Sequence, residues 1–123
     1  MNPSVTDLLE LADESLAAAE ALLAGGYPRF AVARAYYTMF YSASALHLQH
    51  GRSYTKHSGV IAGFGRHFVK TGQFDSKLFR QFRKAFVDRQ IGDYDAGASI
   101  SEELAQETIM RAREFVAAVR RCV

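Results

Sequence analysis

PRFAVARAYYTMFYSASALHLQHG, residues 28–51, decides the fold. Proline fits a first helical turn, where its missing N–H is no loss, and Gly51 has the freedom that a helix C-terminal cap requires. Along this helix Phe30, Tyr37 and Tyr41 face one way, and Val32, Tyr36, Met39, Phe40 and Leu46 another. Ala31, Ala35, Thr38, Ser42 and Ala45 form a seam of small side chains. A helix that is apolar nearly all round is enclosed by neighbours or shared with a second subunit.

The flanking sequence supplies the neighbours. Val5, Leu8, Leu9, Ala12, Leu16, Ala19 and Leu23 step by three and four, a stripe opening at Asn2-Pro3 and closing at Gly25-Gly26. A third helix is predicted from near Thr55 to Lys70. Its Gly59, Gly63 and Gly65 each cost about 1 kcal/mol relative to alanine, so a neighbour, expected to be a packed helix, must approach that face closely. Asp75 is placed to cap a fourth helix with the stripe Leu78, Phe79, Phe82, Ala85 and Phe86, ended by Gly92. Ser99 with Glu102 has capping-box spacing ahead of a fifth stripe: Leu104, Ala105, Ile109, Ala112, Phe115, Val116 and Val119. No alternating strand pattern, internal repeat or low-complexity tract interrupts these. The prediction is all-α: an up-and-down antiparallel bundle of four long helices plus a shorter fifth.

At 123 residues the chain suits one domain, 1–123, burying about two-thirds of the surface it exposes unfolded. The single Cys122 cannot form an intrachain disulfide. The acidic start and the lack of a long uncharged apolar run predict a cytoplasmic protein without membrane attachment. A net charge of +2 conceals a segregation. Residues 1–51 carry two arginines against five acids, 52–89 nine Lys and Arg against Asp75 and Asp88, and 90–123 four arginines against six acids. The basic middle suits a phosphate or nucleic-acid surface, or a solvated face paired with acidic neighbours.

That basic segment ends in FRKAFVDRQIGDYD, residues 82–95. Arg89 follows Phe82 by seven residues, so its guanidinium points to the same side as the aromatic stripe. A guanidinium cannot shed its charge, and there it needs a carboxylate, aromatic faces or a bound phosphate. Asp93 and Tyr94 lie in reach as structural partners; a ligand or catalytic role is the alternative. Lys56 and His57 fall at the start of the third helix, where free N–H groups and the helix dipole favour an anion. Arg66 and His67, two turns further on, extend the same possible edge. Lys77, Arg80 and Lys84 form a ridge that could track an RNA backbone, though a solvent-facing charged flank has the same pattern.

Other chemistry finds little support. His47 and His50 are spaced for a shared metal but have no carboxylate nearby, and Glu-x-x-His pairs are missing, so no metal is predicted. GFGRHF at 63–68 has two glycines of a dinucleotide fingerprint but Phe68 in place of the third, and no strand precedes it. No cofactor is expected.

Three stretches together, RAYYTMFYSASALHL (34–48), KHSGVIAGFGRHFVKTGQFD (56–75) and RKAFVDRQIGDYD (83–95), resemble the HEPN domain. The likeness is closest to its small stand-alone prokaryotic branch. It implies a helical bundle, usually a homodimer, often paired with a minimal nucleotidyltransferase in toxin–antitoxin fashion. Catalytic HEPN proteins are metal-independent RNA endonucleases carrying Arg, four to six residues, then His, in a cleft at the dimer interface. Arg89 matches the arginine, whereas the three positions open to the histidine hold Tyr94, Asp95 and Ala96.

Cleavage through the 2′-hydroxyl needs a base and a cation to hold charge developing on phosphate oxygen. Tyrosine is a poor base: with a pKa of about 10, roughly one phenol in a thousand is ionised at pH 7, equivalent to about 4 kcal/mol. His57 or His67 is the replacement candidate. In toxin–antitoxin relatives a tyrosine near the active arginine is thought to accept AMP, a role the resemblance offers to Tyr94. The expected function is binding: partnership with a nucleotidyltransferase and recognition of nucleotide or RNA phosphate. The alternatives are a ribonuclease using Arg89 with Tyr94 or a histidine, and an assembly module without a ligand.

Overall fold

A computed structural model describes residues 3–123. Five helices follow one another: α1 (Pro3–Ala24), α2 (Pro28–Gln49), α3 (His57–Phe64), α4 (Ser76–Tyr94) and α5 (Glu102–Arg120). The predicted four long helices and one short one are present, and the described residues contain no strand. Asn2, at the predicted opening of the first helix, lies outside the described residues.

The α2 helix is central and packs against α1, α3, α4 and α5, which bury Val32, Tyr36, Met39 and Leu46, while on its other apolar face Phe30 is exposed and Tyr37 and Tyr41 are half-buried. The small-residue seam is fully buried. It admits α1 closely enough for Thr38 Oγ1 to donate to the Ala12 carbonyl at 3.2 Å and Ser15 Oγ to the Arg34 carbonyl at 2.7 Å. Each bond satisfies a buried hydroxyl that would otherwise cost about 1–3 kcal/mol. On the other side of α2 lies an aromatic core in which Phe82 of α4 meets Tyr36, Phe64 and Phe115, with ring centroids 6.0, 6.1 and 5.2 Å away.

Local differences from the sequence expectations have physical causes. The third helix starts at His57 rather than near Thr55, and beyond Phe64 it widens into a π-helical turn, Gly65–Val69, in which Lys70 N–H donates to the Gly65 carbonyl at 2.9 Å. The intruder facing Gly59 and Gly63 is not a packed helix but the ring of Tyr54 from the preceding loop. A Cβ on Gly63 would sit 2.6 Å from its hydroxyl. At Gly65 the neighbour is a helix, since a Cβ there would meet Phe79 of α4 at 2.8 Å. Gly92 does not end α4, which runs on to Tyr94. The cap of α5 is Ser101, accepting from Leu104 N–H at 3.1 Å, in place of Ser99. Asp75 caps α4 as its position predicts, accepting from Lys77 N–H at 2.9 Å.

The backbone bond from Asp95 N–H to the Ile91 carbonyl at 2.9 Å closes the last turn, and Arg29, at the start of α2, caps it. Its guanidinium donates to the carbonyls of Gly92 and Ala98, and to that of Asp95 at 3.1 Å. One cation thus gathers the exposed carbonyls of the α4 end and the loop behind it, where a positive charge is favoured. Arg29→Ala is expected to lower stability by about 1–2 kcal/mol, since hydrogen bonds to charged groups contribute about 1.5–3 kcal/mol and water recovers part of the loss. A urea midpoint unchanged from wild type would contradict this.

Candidate anion-binding crevice

The end of α4, the middle of α2 and the start of α3 meet around Arg89. The side chain is only 13 % exposed. Its Nε donates to Asp93 Oδ2 at 2.9 Å, one turn on. Its guanidinium carbon lies 5.5 Å from the ring centroid of Tyr36 and 5.3 Å from that of Tyr37. Carboxylate and π faces together hold a cation that cannot be neutralised. The terminal Nη atoms have no hydrogen-bond partner among the described residues and are not sealed from solvent.

His57, the first residue of α3, shares the Tyr36 and Tyr37 rings with Arg89. Its ring stacks on Phe40 with centroids 4.2 Å apart, and its Nδ1 is 2.7 Å from the hydroxyl of the fully buried Tyr36. Burial, followed by the nearby Arg89 cation, pushes the His57 pKa below the usual imidazole value. Burial pushes the Tyr36 phenol well up; Arg89 opposes that rise and Tyr37 adds to it. Lys56 precedes His57 as an exposed residue at a helix start that carries no side-chain cap.

Arg89, His57, Lys56 and Asp93 are thus brought to one neighbourhood. Tyr94 is not: it is 79 % exposed at the last position of α4. Lys77, Arg80 and Lys84 share a separate depression of about 330 Å³ with Arg111 of α5. Lys84 pairs with Asp88 at 2.6 Å, and Arg80 donates to Ser76 Oγ at 3.1 Å. Arg80 precedes Arg89 by about two and a half helical turns, which puts the ridge and the crevice on opposite sides of α4. Arg66 lines a third hollow with Lys70 and Phe79, while His67 lies near Arg52 and Arg66.

Two contributors escaped the sequence reading. Tyr36 reads as one more core aromatic, and its link to His57 spans 21 residues. Arg29 fixes the loop behind the crevice through backbone carbonyls, which leave no trace in side-chain pattern.

His47 is the other buried imidazole, with Nε2 3.0 Å from the Val60 carbonyl, and His50 places Nδ1 at 3.0 Å from that of Leu46. No cluster of three or more His, Cys, Asp or Glu side chains forms a metal site among the described residues. Burial chiefly, with Arg52, His67 and His50 adding to it, holds the His47 pKa low against the opposing Val60 hydrogen bond. Because His47 and His57 both resist protonation when folded, the unfolded chain binds more protons once the pH drops below about 6.5. Their contribution is complete above that pH and is lost progressively below it. Thermal melts at about pH 7.5, 6.5 and 5.5 are expected to show a falling midpoint; a flat profile would contradict the assignment.

No helix among the described residues is long and apolar enough to cross a membrane. The sequence pattern of the HEPN domain matches residues 5–122. A UPF0332 protein of Thermotoga maritima is 39 % identical over 112 residues, covering 91 % of this chain and 85 % of its own length. Two proteins of Methanocaldococcus jannaschii, each named "Putative toxin", are 39 % and 38 % identical to this chain. They cover 89 % and 94 % of this chain and 74 % and 86 % of their own. With a helical bundle matching the expected architecture and the family pattern running through all five helices, this chain belongs to the HEPN domain family.

Proposed function

We propose that this chain is a toxin–antitoxin-type HEPN protein that works by binding, with the Arg89 crevice as its receptor for an RNA or nucleotide phosphate. The observation that carries the reading is the state of Arg89: anchored through Nε, backed by two aromatic rings, and left with terminal nitrogens that have no partner among the described residues. A guanidinium prepared in this way offers two parallel N–H groups, the geometry phosphate recognition uses. The names of the Methanocaldococcus relatives support the toxin–antitoxin part. The partner would be a minimal nucleotidyltransferase, and the cellular setting the cytoplasm. A homodimer would form across the α2 and late α4 surface, where Phe30, Ile91 and Tyr94 are exposed. Tyr94, standing clear of the fold, is sterically open to nucleotidylation by such a partner.

Incubation with single-stranded RNA in EDTA tests the reading: retention of RNA that stays intact supports it, and failure to bind any RNA or mononucleotide removes it. A second reading, a metal-independent ribonuclease, is favoured by one observation, the presence of His57 rather than Tyr94 beside Arg89. Cyclic-phosphate ends that vanish in Arg89→Ala would establish that alternative.

A further inference from the structure

The Tyr36–His57 contact bears on which kind of chemistry the crevice performs. Tyr36 is fully buried, and among the described residues its hydroxyl has one hydrogen-bond partner, His57 Nδ1. Two arrangements of protons satisfy that distance. If Nδ1 carried the proton and donated to the phenolic oxygen, the phenol's own hydrogen would be enclosed without an acceptor. If the phenol donates, the buried donor is satisfied and Nδ1 is the acceptor, leaving the imidazole proton on Nε2. Protonating both nitrogens would orphan the phenol hydrogen as well, and would place a second cation next to Arg89. Among the described residues the hydroxyl has no second hydrogen-bond partner, and the rings of Tyr37, Phe40, Phe82 and Phe86 pack around the Tyr36 ring.

We infer that Tyr36 is a positioning residue that holds His57 as a neutral imidazole protonated at Nε2, so that His57 and the Arg89 guanidinium both present donors to anionic phosphate oxygen and the imidazole is not in place as a base. Nε2 is the outward nitrogen, unpartnered among the described residues and not sealed from solvent. The Arg89 guanidinium is near enough for its charge to bear on the His57 ring. Each of these groups donates a hydrogen bond and none can take a proton from a 2′-hydroxyl without first undoing the Tyr36 bond. The site therefore binds a phosphate and leaves the ester intact. The ligand part of this inference rests on the phosphate-binding reading above; the tautomer does not.

Long-range proton–nitrogen NMR of uniformly ¹⁵N-labelled protein at about pH 7.5 reads the tautomer, with His57→Gln used to assign the signal among the four histidines. The expected pattern is a bare Nδ1 and a protonated Nε2. A protonated Nδ1 with a bare Nε2 overturns the inference, whatever RNA does. Tyr36→Phe, which keeps the ring, is expected to shift His57 toward a mixture of tautomers; an unchanged spectrum overturns the role of Tyr36. If that variant does not fold, the wild-type spectrum still decides.

Binding of a short fluorescent single-stranded RNA gives the second readout. Glutamine can donate from the Nε2 position but cannot act as a base. His57→Gln is therefore expected to hold RNA within about threefold of wild type, while His57→Ala loses about tenfold, the loss of one hydrogen bond to a charged group. Cleavage in EDTA by wild type that disappears in His57→Gln would make His57 the base and overturn the inference while leaving phosphate binding intact. Conversely, an Nε2-protonated spectrum in a protein that binds neither RNA nor mononucleotide would sink the phosphate reading and uphold the tautomer.

Discussion

Arg89→Ala is expected to weaken binding of a short single-stranded RNA by at least about tenfold while leaving the melting temperature near wild type. The affinity loss follows from hydrogen bonds to charged groups, which contribute about 1.5–3 kcal/mol, where 1.4 kcal/mol is a factor of ten. The small stability change follows from the partner: Asp93 is 30 % exposed and regains water, and an i,i+4 ion pair of this kind contributes only about 0.3–0.5 kcal/mol. Replacing Lys77, Arg80 and Lys84 with glutamine serves as the contrast. If RNA tracks along that ridge, the triple variant loses affinity and its binding becomes less salt-dependent. An Arg89→Ala protein that binds as wild type, beside a ridge variant that does not, would move the site to the far side of α4.

Phe82→Ala is expected to have the largest effect on stability. The ring is fully buried and touches Tyr36, Phe64 and Phe115, so its removal leaves a cavity where α2, α3, α4 and α5 converge. Truncations of this type cost about 3–5 kcal/mol, against a total of about 5–15 kcal/mol for an ordinary domain. A denaturant midpoint shifted by less than about 1 kcal/mol equivalent would mean that the surrounding helices close the gap. Because Phe82 supports Tyr36 from below, this variant is also expected to lose RNA affinity. Arg89→Ala separates the two effects, losing affinity alone.

The helices were legible because their information is local. Apolar residues repeating every three or four positions in α1, α4 and α5 mark which face is covered, and Gly51, with φ of +75°, terminates α2 where only a residue without Cβ is comfortable. What could not be read was set by residues far apart in sequence. Gly92 has the composition of a helix end, yet the helix runs on to Tyr94, and its end is capped by Arg29 from 63 positions away. Ser99 and Ser101 are equivalent in composition, and the backbone path of the loop selected the second. At the crevice, Arg89 was conspicuous because a charge on an apolar stripe is a local contradiction. Its partners divided by geometry: Asp93 is four residues on and shares the face, whereas Tyr94, five residues on, is rotated by about 140° from it. His57 could be placed at a helix start from sequence, but its approach to Tyr36 depends on how α3 crosses α2.

The triple grip of Arg29 reaches beyond the loop it organises. It sits two turns before Tyr36 and Tyr37 on α2 and grasps the backbone that follows Arg89 on α4, so the two sides of the crevice are fastened together at their shared end. If the crevice is the phosphate receptor proposed above, such a brace means that little disorder is surrendered on binding and less of the attraction is consumed in arranging the host. On the phosphate-binding proposal, loosening the brace is expected to weaken recognition through the host rather than through a lost contact.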